Sequence, residues 1–182
     1  MSEMFSRRVF LRGLGVVAAA AALTACSSTN EAVNQALIEG AVGGIVAADC
    51  KIDRSRYLAA NATVPVNEIS FRIVMTNVSS KPVTLSGDNF ATTLDGTPIP
   101  PFNFSARDVG DADIWRTYDS LTIRPGEERS VALAYEISQP TYDSWYRSSR
   151  TVAVSFTCGN QRVTYTKNSR SDEITVSDIE TL

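Results

Sequence analysis

The chain has 182 residues, with 17 basic and 20 acidic side chains for a formal net charge of −3, three cysteines and no histidine. Without an imidazole it cannot build a Ser-His-Asp or Cys-His hydrolase site, a His-ligated metal or haem centre, or a histidine pH switch. The length suits one domain, and the acidic balance lacks the basic footprint that binding to nucleic acid needs.

The N-terminus reads Ser6-Arg7-Arg8-Val9-Phe10-Leu11-Arg12, followed by an uncharged run from Gly13 to Ala25 and then Cys26. A charged start, a short apolar stretch and small residues before a cysteine make an export signal. The apolar run is too short for a membrane span, which needs about 20 residues. Arg7 and Arg8 ahead of Phe10 and Leu11 resemble the twin-arginine export signal, and Leu23-Thr24-Ala25-Cys26 resembles the lipobox of bacterial lipoproteins. These resemblances imply cleavage after Ala25, so that residues 1–25 are the signal peptide. Cys26 is then acylated and holds the protein on a membrane through its lipid. Ser27 implies the outer membrane, facing the periplasm, in a two-membrane bacterium. In a one-membrane host the same anchor implies the outer face of the cytoplasmic membrane. Cleavage takes Arg7, Arg8, Arg12 and Glu3 away and leaves 157 residues, with 14 basic and 19 acidic side chains and a net charge of −5.

Residues 26–54 read as a lipidated cysteine, a tether and a short N-terminal helix. Ser28-Thr29-Asn30-Glu31 has the form of a capping box, and Val33, Leu37, Ile38, Ala41, Val42, Ile45 and Val46 recur at helical spacing. Ala36, Gly40, Gly44 and Ala48 form a stripe of small residues that permits close helix contact. Self-association through 36–48 is therefore one expectation. A helix packed on its own sheet, or a poorly ordered tether weakened by Gly40, Gly43 and Gly44, is the other.

From residue 55 to 182 the pattern has period two. Ile69, Phe71, Ile73 and Met75 mark one face of a strand over 69–76. Turn residues 77–82 lead to short strands at 83–85 and 90–94, and Asp95-Gly96 signals a hairpin. Pro98, Pro100 and Pro101 confine the next segment to an edge or a loop. Leu121-Thr122-Ile123 runs into a Pro125-Gly126 turn, after which Val131, Leu133, Tyr135 and Ile137 alternate. Val152, Val154, Phe156 and Cys158 share a face, Gly159-Asn160 turns the chain into 162–166, and 174–176 is a last strand. This predicts an all-β fold: an antiparallel, immunoglobulin-like sandwich of about seven or eight strands behind a short helix.

Phe71-Arg72-Ile73-Val74-Met75-Thr76-Asn77, Lys81-Pro82-Val83-Thr84-Leu85, Asn89-Phe90 with Asp95-Gly96, and Leu121-Thr122-Ile123-Arg124-Pro125-Gly126-Glu127 are similar to the telokin-like, immunoglobulin-like domains of bacterial secreted lipoproteins. The likeness covers roughly residues 60–166 and departs at the insert Phe104–Ser120. It implies a fold and no catalytic residue.

Cys50 and Cys158 are an even pair in an exported chain, which suggests a disulfide closed after export, with two separate buried thiols as the alternative. Asp108, Asp111 and Asp113, with Asp119 beyond, could wrap Ca²⁺. The spacing is not that of an EF-hand and the closing Glu is missing, so a solvated acidic loop is expected, with no metal and no cofactor. Carboxylate pairs such as Asp111 with Asp113, or Asp119 with Asp143, carry no spacing that marks a hydrolase. Loop aromatics beside charges are the remaining signal. Arg107, Trp115, Arg116, Tyr118, Tyr142, Trp145 and Tyr146 are the candidates for partner binding, against the alternative that both tryptophans cap the core. The expectation is a non-enzymatic envelope lipoprotein that binds another envelope protein or a cell-wall or glycan component.

Overall fold

The computed structural model describes residues 40–57, 65–101, 103–109 and 115–182. Arg7, Arg8, Phe10, Leu11 and Cys26, together with Asp111 and Asp113, lie outside the described residues.

Thirteen strands run through the described residues. They are β1 (Ile45–Tyr57), β2 (Val66–Asn77), β3 (Val83–Ser86), β4 (Phe90–Leu94), β5 (Thr97–Ile99), β6 (Asn103–Asp108), β7 (Arg116–Thr117), β8 (Ser120–Ile123), β9 (Glu128–Glu136), β10 (Thr151–Cys158), β11 (Gln161–Asn168), β12 (Ile174–Val176) and β13 (Glu180–Thr181). Among the described residues one α-helical segment, α1 (Gln139–Ser144), joins β9 to β10. All pairings are antiparallel. One sheet has the order β1-β2-β9-β6-β7, and the other the order β12-β11-β10-β4-β5, with β13 also on β11. A ribbon of β3 and β8 completes the fold.

The strand order confirms the immunoglobulin-like expectation. The constant-type immunoglobulin sandwich places strands A-B-E-D in one sheet and C-F-G in the other. Here β1-β2-β9-β6 fill the first set and β4-β10-β11 the second. β6 belongs to the insert at 104–120, so that departure supplies the fourth strand of a sheet.

The core follows from the two-residue period. Ile69, Phe71, Ile73 and Met75 of β2 face Val131, Leu133 and Tyr135 of β9, and across the sandwich Val152, Val154 and Phe156 of β10 with Val163 and Tyr165 of β11. Phe90 and Phe156, opposite each other on β4 and β10, hold their rings 5.1 Å apart. Turn chemistry behaves as read. Asp95-Gly96 links β4 to β5 with both residues at positive φ, 52° and 79°. Pro98 of β5 stands opposite Thr93, on a sheet edge where its missing N–H costs no ladder bond.

The helix expected before the sandwich is absent over its described part. Residues 40–48 form a turn and the start of β1, with Val42 bridged to Ile45. Gly43 and Gly44 take φ of 58° and 84°, which no helix accepts, and Ile45 and Val46 are β-branched residues that the sheet buries. The small-residue stripe is therefore no helix face at Gly40, Gly44 and Ala48, and self-association through a helix at 36–48 loses its basis. The sandwich also begins earlier than residue 55, because β1 pairs with β2 along its whole length, broken by one bulge at Asp49–Cys50.

Cys50 and Cys158 are free thiols, not a disulfide. Cys158 lies at the β10–β11 hairpin against Gly43, whereas Cys50 lies seven residues further along the chain from Gly43. At about 3.3 Å per residue of strand that is roughly 20 Å, far beyond the 7 Å Cα limit of a disulfide.

Candidate functional site

The seven aromatic and arginine candidates fall into two groups that the fold keeps apart. β6 and β7 bring Arg107 beside Trp115. Their register pairs Ala106 with Arg116, so the next step sets Arg107 against Trp115, and the guanidinium lies 5.0 Å from the indole centre. Ala106 faces the core, so Arg107 faces outward. Arg116 is exposed, and Tyr118 is half-buried and packs on the core. Asp108 forms an ion pair with Arg129, which also holds Glu127.

The second group surrounds α1. Ser138 caps the segment, its hydroxyl accepting the Thr141 N–H, and Pro140 fits the first turn. Trp145 is 2% exposed and is a core residue, so it cannot touch a partner. Tyr142 is half-buried and Tyr146 is 57% exposed. Register separates the two groups. Arg107 is level with Ser130 and Val74, while Arg54 beside Tyr142 is level with Ile69 and Tyr135. Five residues along the strands and three strand spacings put them about 20 Å apart.

Around α1 the structure adds arginines that the sequence reading missed. Arg54 donates to the Tyr142 carbonyl, and its guanidinium lies 4.3 Å from the Tyr142 ring centre and 4.6 Å from that of Tyr146. Arg56 lies 5.6 Å from the Tyr142 ring and donates to Gln139 Oε1 at 3.4 Å. Arg147 donates to the Asp143 carbonyl at 3.0 Å, and Arg170 donates to the Arg147 carbonyl. None of these four arginines has a carboxylate partner among the described residues, and each is held by a neutral oxygen. The acids nearby are otherwise engaged. Asp143 accepts from Gln139, Glu68 from Ser55, and Asp95 from Arg150. Arginine stacks on aromatic rings and keeps its remaining N–H donors for planar anions, so the cluster is an ordered cationic surface.

The signal for Arg54 and Arg56 was the alternation over Lys51-Ile52-Asp53-Arg54, hidden because charges outnumber apolar residues on an edge strand. Among the described residues no group of acids, cysteines or histidines could hold a metal ion. No helix among them is long and apolar enough to cross a membrane.

No family model matches the chain, and no curated protein matches it. Several solved structures show a distant likeness. The yjhA protein of Bacillus subtilis is 16% identical, with 62% of this chain and 73% of that one covered and a TM-score of 0.39. A candidate lipoprotein of Bacillus subtilis, ycdA, is 9% identical over 71% of this chain, which spans 38% of that protein, with a TM-score of 0.46. An uncharacterized β-sandwich protein of Clostridium difficile is 16% identical over 70% of this chain and 91% of that one, with a TM-score of 0.40.

Proposed function

We propose that the chain is an exported, lipid-anchored, non-catalytic binding module of the cell envelope that holds its partner at the Arg54–Tyr142–Tyr146 end of the sandwich. The observation that carries this reading is a guanidinium held between two tyrosine rings, one of them 57% exposed. Exposed aromatics beside arginine are the residue types that dominate binding energy at interfaces. The place of the cluster supports the reading too. The chain enters at Gly40–Gly44, and Arg54 lies nine residues along β1 from Ile45, about 30 Å away. The fourteen residues from Cys26 to Gly40 reach at most about 50 Å. A tether from Cys26 is therefore longer than the span of β1 and gives the cluster reach to a partner in the envelope.

Two measurements test the proposal. Cys26→Ala is expected to move the protein from the membrane fraction to the soluble fraction and to abolish labelling by an alkyne fatty acid. A photo-crosslinking residue at 146 is expected to give a discrete adduct in cells, and the same residue at exposed Thr122 is expected to give none. Continued membrane binding of Cys26→Ala overturns the anchor, and equal adducts at both positions overturn the surface.

A further inference from the structure

We infer that the ligand of the α1 end is an acidic glycan, with a sugar ring on the Tyr146 face and its carboxylates or phosphates on Arg54, Arg56, Arg147 and Arg170. This rests on the reading of that end as the binding surface and adds the chemistry of what it takes.

The cluster is contiguous. Arg54 joins Tyr142 to Tyr146, Arg56 reaches Tyr142 and Gln139, Arg147 follows Tyr146, and Arg170 is bonded to the Arg147 carbonyl. Four positive charges without carboxylate partners among the described residues stand together on a chain whose net charge is −3. Like charges repel unless an anion arrives, so the surface is complementary to a multiply charged anion. All four are arginines, whose planar forks suit carboxylate and phosphate. Their hydrogen bonds run to backbone carbonyls or to an amide oxygen, which holds each guanidinium without an ion pair among the described residues. Tyr146 then decides the class of anion. Its exposed ring is a flat apolar platform, which the C–H face of a pyranose covers. A uronic or phosphorylated sugar brings a ring face and an acidic group in one rigid unit. An acidic peptide carries its charge on flexible stems and has no ring face to offer.

The test titrates the full chain carrying Cys26→Ser with a galacturonate oligomer, a neutral galactose oligomer, hexaglutamate and anionic phospholipid vesicles. The galacturonate oligomer is expected to bind, with affinity falling as salt rises. The neutral oligomer is expected to bind at least tenfold more weakly. Tyr146→Ala is expected to cost at least fivefold with an unchanged melting temperature, and Arg147→Gln with Arg170→Gln at least tenfold. Hexaglutamate binding as tightly as the galacturonate overturns the glycan in favour of an acidic peptide, and stronger binding to vesicles overturns it in favour of a membrane. Galacturonate binding indifferent to Tyr146→Ala overturns the stacking site. If galacturonate fails to bind while the cellular adduct at position 146 persists, the glycan is wrong and the surface stands.

Discussion

Gly43 and Cys158 meet so closely that a methyl group on Gly43 would lie 2.5 Å from the Cys158 sulfur and 2.8 Å from its carbonyl oxygen. The same glycine sits at φ 58° and gives its N–H to Gln161 Oε1 at 2.9 Å. It therefore fixes the chain leading into β1 onto the β10–β11 hairpin of the opposite sheet. Gly43→Ala meets backbone as well as side chain, so trimming the cysteine cannot relieve it fully. The expected loss is about 2–4 kcal/mol, from overpacking together with a left-handed alanine. Urea unfolding of Gly43→Ala and of Gly43→Ala with Cys158→Ala measures it, with only partial recovery in the double variant.

The two thiols give a second expectation. Burial pushes the Cys50 thiol up to about 12, against a smaller opposing pull from Lys167, and raises Cys158 as well. Alkylation needs the thiolate. In native protein at pH 8, iodoacetamide is expected to leave Cys50 and Cys158 largely unmodified. In unreduced protein unfolded in guanidinium, both cysteine peptides are expected to be fully alkylated. A disulfide-linked peptide pair would contradict the separation of Cys50 from Cys158.

Alkaline pH tests the same burial through stability. Cys50 rises from 9.0 to about 12 and Tyr135 from 10.0 to about 12, both chiefly by desolvation, and Tyr165 also rises. The unfolded chain releases these protons from pH 9 upward, whereas the folded chain keeps them to about 12. The folded state thus binds more protons in that window, and stability falls as pH rises through it. Below pH 9 their contribution is fully present. The melting temperature is expected to decline steadily from pH 9 to 11.5, and Cys50→Ala is expected to flatten the slope at the lower end of that range.

Much of the sandwich is readable locally. Val83–Ser86, Phe90–Leu94 and Ile174–Val176 match their expected positions within a residue, because alternation and turn residues act over a few positions. Residues 40–48 misled because Val42, Ile45 and Val46 fit a helical period as well as a buried strand. The deciding facts, Cys158 against Gly43 and Ser79 against Gly44, are long-range. Tyr142 and Tyr146 were legible as loop aromatics, whereas Arg54 and Arg56 belong to an edge strand whose charges resemble a linker. Trp145 carried no local mark of burial, since the helical turn that inserts it is defined by the Ser138 cap and Pro140.

At the acid end the hairpin residue Asp95 is the test. Its carboxylate accepts from Arg150 Nη1 and from the Thr151 N–H, both at 2.8 Å, which hold its carboxyl below the usual value of 3.8 in that order of effect. A lowered carboxyl contributes stability above its unfolded value and loses it as pH falls through the folded one. The site is exposed and screened, so Asp95→Asn is expected to cost only about 0.5 kcal/mol at pH 7. The difference between the two proteins should shrink as pH falls below 4, as followed by urea midpoints from pH 7 downward.

Asn77 makes four side-chain hydrogen bonds. It is fully buried at the end of β2. Its Nδ2 donates to the carbonyls of Lys81 and Ile123, both at 2.8 Å, and its Oδ1 accepts from the Ser79 N–H and hydroxyl at 2.9 and 2.7 Å. One side chain thereby ties the 77–82 turn to β8. Asn77→Ala orphans the buried Ile123 carbonyl and the Ser79 N–H, while the Lys81 carbonyl keeps the Ser79 hydroxyl, for an expected loss of about 2 kcal/mol. Asn77→Asp keeps the shape and reverses one end of the chemistry, setting an anionic oxygen against two carbonyl oxygens. It is expected to be the more damaging change at pH 7. Because burial and those carbonyls disfavour the charged form, the folded state holds the proton of the introduced carboxyl more tightly than the unfolded chain does. Stability of Asn77→Asp should therefore recover as pH falls toward 4, while Asn77→Ala gains nothing from the same change. Parallel thermal melts of the two variants at pH 7 and pH 4 decide it, and equal pH responses would show that the 77–82 turn does not depend on the amide.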